Sequence, residues 1–152
     1  MAVRTGEIAP EFDLAVTHEE RVRLSDFRGQ TVVVYFYPRA DTPGCTTQAC
    51  GVRDHHADYE AADATVIGVS PDPPSAVAKF AEKYSLEFPL LADEDHAVAE
   101  AYGVWGEKKM YGRTYFGVSR STFIIDPEGR IAHVIEKASP KMHDDDVLSA
   151  LS

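Results

Sequence analysis

Two apolar runs, and the interval between them, limit this chain more than any other feature. Residues 31–37 read TVVVYFY and residues 65–70 read TVIGVS. Both are dominated by β-branched and aromatic residues, and each has the length of a buried strand. Pro38 ends the first run. Thr42 is placed to act as an N-cap, with Pro43 at the first helical position, where a missing N–H does no harm. The spacing predicts a helix from near Thr42 to about Ala62. Strand, helix, strand of this size is a βαβ unit, which requires parallel pairing and a right-handed crossover.

The rest of the chain extends that unit. A second helix is expected over about Ser75–Tyr84, where Val77, Phe80, Ala81 and Tyr84 form one apolar face. A short strand follows at Pro89–Ala92, and Asp95 is placed to cap a third helix through Tyr102. Residues 103–120 read as an extended loop or irregular hairpin. STFIID (121–126) and RIAHVI (130–135) flank Asp126-Pro127-Glu128-Gly129, a strong antiparallel hairpin signal. Asp144–Asp146 would supply the acidic, solvated first turn of a closing helix through Leu151. Residues 11–15 and 21–24 are candidates for an N-terminal hairpin. A βαβ half followed by a β-hairpin and a terminal helix is the thioredoxin-like plan: an α/β fold with a central mixed sheet flanked by helices. Sites in such sheets lie at the carboxyl ends of the parallel strands.

Length and composition narrow the function. The 152 residues suit one domain over 1–152, able to bury enough core without a disulfide staple. A net charge of −10 argues against nucleic acid and anionic membrane as partners. The longest apolar run, Val32–Tyr37, is too short to cross a bilayer, and Glu7, Glu11 and Asp13 interrupt any signal-peptide core. The expected compartment is the cytoplasm, where thiols are kept reduced. The chain has two cysteines, Cys45 and Cys50, and in that setting they point to catalysis, redox sensing or metal binding.

Cys45 lies just past the first strand, as the third residue of the predicted helix. Unpaired backbone N–H groups and the positive end of the helix dipole stabilise negative charge on its sulfur. Thiolate character alone gives a modest gain in rate, because nucleophilicity falls as the thiolate becomes more stable. A fast thiol enzyme also needs donors aimed at charge that develops in the transition state. Thr42 offers a hydroxyl. Arg120, just before the STFIID strand that should pair with residues 31–37, is the best candidate cation; Arg39, on an open loop, reads as a surface charge. Cys50 is five residues from Cys45, about 140° and ~7.5 Å along one helix, which puts the Cα atoms about 8–9 Å apart. A disulfide needs roughly 4.4–6.8 Å. The sulfurs can join only if the first turns unwind, and Gly51, which costs about 1 kcal/mol against Ala in a helix interior, favours that.

At these residues the sequence resembles the peroxiredoxin family. The signature is Pro38-x-x-x-Thr42-x-x-Cys45 with Arg120 ahead of the Ser-Thr-Phe strand. The spacing Cys45-x-x-x-x-Cys50 and the lines GVWGEKKMYG and RSTFIID are similar to the bacterioferritin-comigratory, or peroxiredoxin Q, subgroup. The resemblance implies an antioxidant thiol peroxidase for hydrogen peroxide and organic hydroperoxides. It makes Cys45 the peroxidatic residue, oxidised to a sulfenic acid, and Cys50 the resolving residue, which closes an intramolecular disulfide for a thioredoxin-type dithiol to reduce. Thr42 and Arg120 would hold the peroxide, and Pro38 would shield the sulfur from solvent. The resemblance implies a monomer, with no metal, haem or flavin.

Two rivals use the same residues. A non-catalytic zinc module would take Cys45, Cys50, His55 and His56 as ligands, but one helix does not bring positions 45 and 50 together. A cysteine hydrolase would pair Cys45 with an imidazole such as His133, but His133 lies inside a strand pattern and no local hydrolase signature accompanies it.

Overall fold

A computed structural model describes residues 3–16 and 20–151 of the chain. In chain order, its first half holds β1 (Asp13–Ala15), β2 (Arg21–Arg23), β3 (Thr31–Phe36), α1 (Pro43–Asp54), α2 (His56–Ala61) and β4 (Ala64–Ser70). Then come α3 (Pro74–Lys83), β5 (Leu90–Ala92), α4 (Ala97–Ala101), β6 (Trp105–Met110), β7 (Arg113–Val118), β8 (Ser121–Ile125), β9 (Ile131–Ile135) and α5 (His143–Leu151). Among the described residues, seven strands form one mixed sheet in the order β2-β1-β5-β4-β3-β8-β9, and β6 and β7 form a separate pair.

The two apolar runs are the middle of that sheet. β3 pairs in parallel with β4, from Thr31 against Ala64 to Phe36 against Val69. On its other side β3 pairs antiparallel with β8. Both faces of β3 are covered, which is why its sequence is continuously apolar and does not alternate with polar residues. Val32, Val34 and Phe36 belong to one core cluster, with Val98, Ala99 and Tyr102 of α4 and its C-terminal flank. Val33, Tyr35 and Tyr37 belong to the other, with residues from α1, α2, α3 and α5. The helices therefore flank the sheet on both sides, and α1 sits on the Tyr35 face.

Most expected elements form where the sequence places them, including the β8–β9 hairpin and the β1–β2 hairpin, whose connecting residues 17–19 lie outside the described residues. Four details differ. The long helix to Ala62 is broken at His55, where ψ opens to 17° and the backbone N–H and ring Nδ1 both meet the Gly51 carbonyl. Residues 103–120 make a regular hairpin, with Trp105 to Met110 paired against Val118 to Arg113. α4 is capped chiefly by Asp93, whose carboxylate accepts from the N–H groups of Val98 and Ala99, while Asp95 accepts only from Ala97. In α5, Asp145 and Asp146 are exposed but Asp144 is buried, so the acidic triplet is not uniformly solvated.

Candidate active site

The register of β8 against β3 builds the site. Ser121 stands opposite Phe36, so Arg120 falls at the carboxyl end of β3, where the chain leaves for α1. Cys45 is the third residue of α1. The Arg120 guanidinium reaches both, donating from Nη2 to Cys45 Sγ at 3.4 Å and from Nη1 to Gln48 Oε1 at 2.6 Å. Gly44 makes the approach possible: a Cβ there would stand 3.2 Å from Arg120 Nη2 and 3.4 Å from Pro140 Cγ. The glycine of the Thr-Pro-Gly-Cys run thus lets the arginine approach without displacement. Ala138 N–H donates to the Arg120 carbonyl at 2.8 Å, fixing the backbone from the far side.

Cys45 is buried at 1% exposure, in the cluster that holds Tyr35, Tyr37 and Ala49. It is not sealed in hydrocarbon, because a half-buried cation covers it. Attraction between a guanidinium and a negative sulfur is stronger there than in bulk water. The first-turn amides of α1 have no intrahelical acceptor and add partial positive charge.

The loop before α1 is held firmly. Asp72 accepts from Ala40 N–H at 2.7 Å, and Asp41 accepts from Lys83 Nζ and the Tyr84 hydroxyl, each at 2.9 Å. Thr42 takes the N-cap position with extended backbone, but its side chain caps nothing and its hydroxyl donates to the Arg39 carbonyl at 2.9 Å. That bond leaves the oxygen's lone pairs for another donor. Pro38 is half-buried beyond the end of β3, and Arg39 is exposed, as its open loop suggested. Cys50 is half-buried and lies on the same unbroken α1 as Cys45, so the separation that forbids a disulfide in the intact helix holds.

Three site residues escaped the sequence reading. Gln48 is fully buried and holds the arginine; one turn beyond Cys45 on the same face was the signal for it. His143 is fully buried, bonds Thr122 Oγ1 through Nε2 at 2.9 Å and packs its ring 5.3 Å from Tyr35. Burial first, then the Arg120 charge, push its pKa down to about 4. Lys108 donates to the Val118 carbonyl, two residues before Arg120; burial and the Arg120 charge lower its pKa. Trp105 is half-buried and stacks on His96 at 3.9 Å, whereas Tyr111, Tyr115 and Phe116 are exposed.

The rival arrangements do not assemble. His55 is turned to Gly51 and Asp144, and His56 pairs with Glu60 at 3.1 Å. Among the described residues no three His, Cys, Asp or Glu side chains form a group able to hold a metal ion. His133 is exposed on the edge strand β9.

A thioredoxin-like sheet that delivers an arginine onto a helix-start sulfur defines a thiol-dependent peroxidase. The match to the AhpC/TSA family spans residues 5–134, and the chain belongs to that family. It is 50% identical to Peroxiredoxin Bcp of Escherichia coli K12 over 149 residues, 98% of this chain and 96% of that protein. It is 46% identical to Peroxiredoxin Bcp of Bacillus subtilis 168 over 151 residues, 99% of this chain and 96% of that one. Among solved structures, the bacterioferritin comigratory protein of Xanthomonas campestris, described for its alkyl peroxide reduction activity, superposes with a TM-score of 0.91 at 33% identity, covering 99% of this chain and 97% of that one. A PrxQ mutant from Xylella fastidiosa gives a TM-score of 0.92 at 32% identity over 99% and 96%.

Proposed function

We propose that Cys45 is the peroxidatic residue and Cys50 the resolving residue of this peroxidase. The observation that carries the reading is the Arg120 guanidinium 3.4 Å from Cys45 Sγ. The Cys45 thiolate attacks one peroxide oxygen, the O–O bond breaks, and the departing oxygen takes a proton to leave as water or an alcohol. Sulfur is oxidised by two electrons to a sulfenic acid. The guanidinium stabilises charge on the departing oxygen, a donor preorganised for the transition state. The Thr42 hydroxyl oxygen accepts from the peroxide O–H while its own proton stays on the Arg39 carbonyl, and Pro38 limits water at the sulfur. The Cys50 thiol then attacks the Cys45 sulfur. The S–S bond forms, the S–O bond breaks and water leaves. A thioredoxin-type dithiol restores both thiols. All electrons come from sulfur, so the cycle as proposed draws on no cofactor.

Hydrogen peroxide and organic hydroperoxides are the proposed substrates, the latter supported by the activity described for the Xanthomonas protein. The chain is read as a cytoplasmic monomer; among the described residues no helix is long and apolar enough to cross a membrane. An intact-mass time course after one equivalent of peroxide tests the cycle. Wild type should gain an oxygen and then lose two hydrogens net as the disulfide closes. Cys45→Ser should gain nothing, and Cys50→Ser should stop at the sulfenic acid. Peroxide turnover retained by Cys45→Ser, or normal cycling by Cys50→Ser, refutes the respective assignment.

A further inference from the structure

The segment that follows Cys50 converges on one carboxylate of α5. Asp144 Oδ1 accepts from the Tyr59 hydroxyl at 2.5 Å. Its Oδ2 lies 3.5 Å from His55 Nδ1, which also meets the Gly51 carbonyl at 2.9 Å. The same carboxylate fills the space that a side chain on Gly51 would need, since an added Cβ would overlap Asp144 Oδ2. His55 and Tyr59 therefore bind the α1–α2 segment to the first turn of α5 within ten residues of Cys50, and Gly51 leaves room for the carboxylate. Asp144 is nearly inaccessible at 6% exposure, and burial raises its pKa. A carboxylate placed there must be held by such partners.

We propose that Asp144 is a positioning residue for the resolving step, a latch from α5 that sets how often the Cys45–Cys50 stretch unwinds. The proposal rests on the reading of Cys50 as resolving residue. α1 is held at two places: by Arg120 on Cys45 and Gln48, and beyond Cys50 by the His55 ring, which meets both the Gly51 carbonyl and Asp144. Oxidation weakens the first grip, because a neutral sulfenic acid attracts the guanidinium less than a thiolate does. The second grip touches no sulfur and is unchanged. After peroxide attack, the Asp144 contacts remain beside the core packing of Ala49 and Val52 as restraints on the distal part of α1. If they are strong, the sulfenic acid waits and is open to a second oxidation; if they are weak, the disulfide closes quickly.

Tyr59→Phe removes one hydrogen bond with little change of shape, and Asp144→Asn removes the charge. Hydrogen exchange on the reduced full-length protein should show amides 46–52 exchanging roughly tenfold faster in either variant, the scale of one lost hydrogen bond to a charged group. The amides of β3 and β4 should keep their wild-type rates. Quenched intact-mass kinetics should show disulfide closure faster by a similar factor, with less sulfinic acid at excess peroxide. Exchange that is unchanged in α1, or that rises equally in β3 and β4, overturns the latch and leaves Asp144 merely structural. Faster α1 exchange with unchanged closure overturns the link to resolution. A wild type that never forms the Cys45–Cys50 disulfide refutes the resolving reading instead, and the exchange data separate that failure from this one because they are collected without peroxide.

Discussion

Gln48 decides where Arg120 can point. The guanidinium has two anchors on α1, and the one on Gln48 is the shorter. Both lie on the same helix face, so the arginine spans one turn and the glutamine fixes the angle at which Nη2 meets the sulfur. Gln48→Ala removes a buried acceptor for a charged donor, worth about 1.5–3 kcal/mol. We expect stopped-flow oxidation of Cys45 to slow roughly tenfold or more, with partial rescue by Gln48→Glu, which keeps an acceptor in place. An unchanged rate with only a lower melting temperature would show that Gln48 supports the fold and not the chemistry. At this scale the sequence was informative where function depends on neighbours along the chain. Thr42, Cys45 and Cys50 declare themselves by spacing on one helix. Arg120 does so because the strand after it must pair with the apolar run at 31–37. His143 and Asp144 do not, because ahead of two more aspartates they look like an ordinary polar helix start. The packing of α5 against the sheet and against the α1–α2 segment buries them.

α5 gains its importance as an element from that first turn. His143 ties it to β8 through Thr122, and Asp144 ties it to Tyr59 of α2 and to His55 at the end of α1. The histidine makes the tie sensitive to acid. Its pKa falls from 6.5 to about 4, mainly through burial, so the folded state favours the neutral ring. A depressed pKa contributes stability that is complete above the unfolded value and is lost as pH falls toward the folded one. Thermal or urea unfolding should therefore show up to ~3 kcal/mol lost between about pH 6.5 and pH 4, a difference that His143→Asn should abolish. Asp93 and Asp144 act in the opposite sense, since burial raises their pKa. The difference between wild type and variant, and not the shape of either curve, is what tests the histidine. A difference that stays flat across this window would mean the ring is protonated in the native state. Tertiary contact also explains the elements that differed from expectation. Asp93 displaced Asp95 as the cap of α4 because it is the buried carboxylate at the end of β5, and α1 parted from α2 at His55, whose ring meets the Gly51 carbonyl and Asp144.

The sheet divides the molecule into a half that catalysis should disturb and a half that it should not. The cluster on the Val34 face contains no residue of α1, whereas the Tyr35 face takes Cys45, Ala49 and Val52 from it. Closing a disulfide between Cys45 and Cys50 must unwind part of α1 and withdraw some of that apolar surface. It also breaks the Arg120 contacts to Cys45 and Gln48. Against this stands the loop-closure gain of a very short ring, only about 2 kcal/mol. The balance is unfavourable by a few kcal/mol, and for a chain of this length each kcal/mol moves the melting temperature by roughly 2–4 °C. The oxidised protein should therefore remain folded and melt about 5–10 °C below the reduced one, with reduced far-UV helicity and unchanged exchange protection in β3, β4 and β8. Cys50→Ser, kept from peroxide, should melt alike with and without reductant. An oxidised form that melts higher than the reduced form would mean that the two sulfurs join without loss of helix. The resolving step would then need no unwinding, and α1 would not be the moving part.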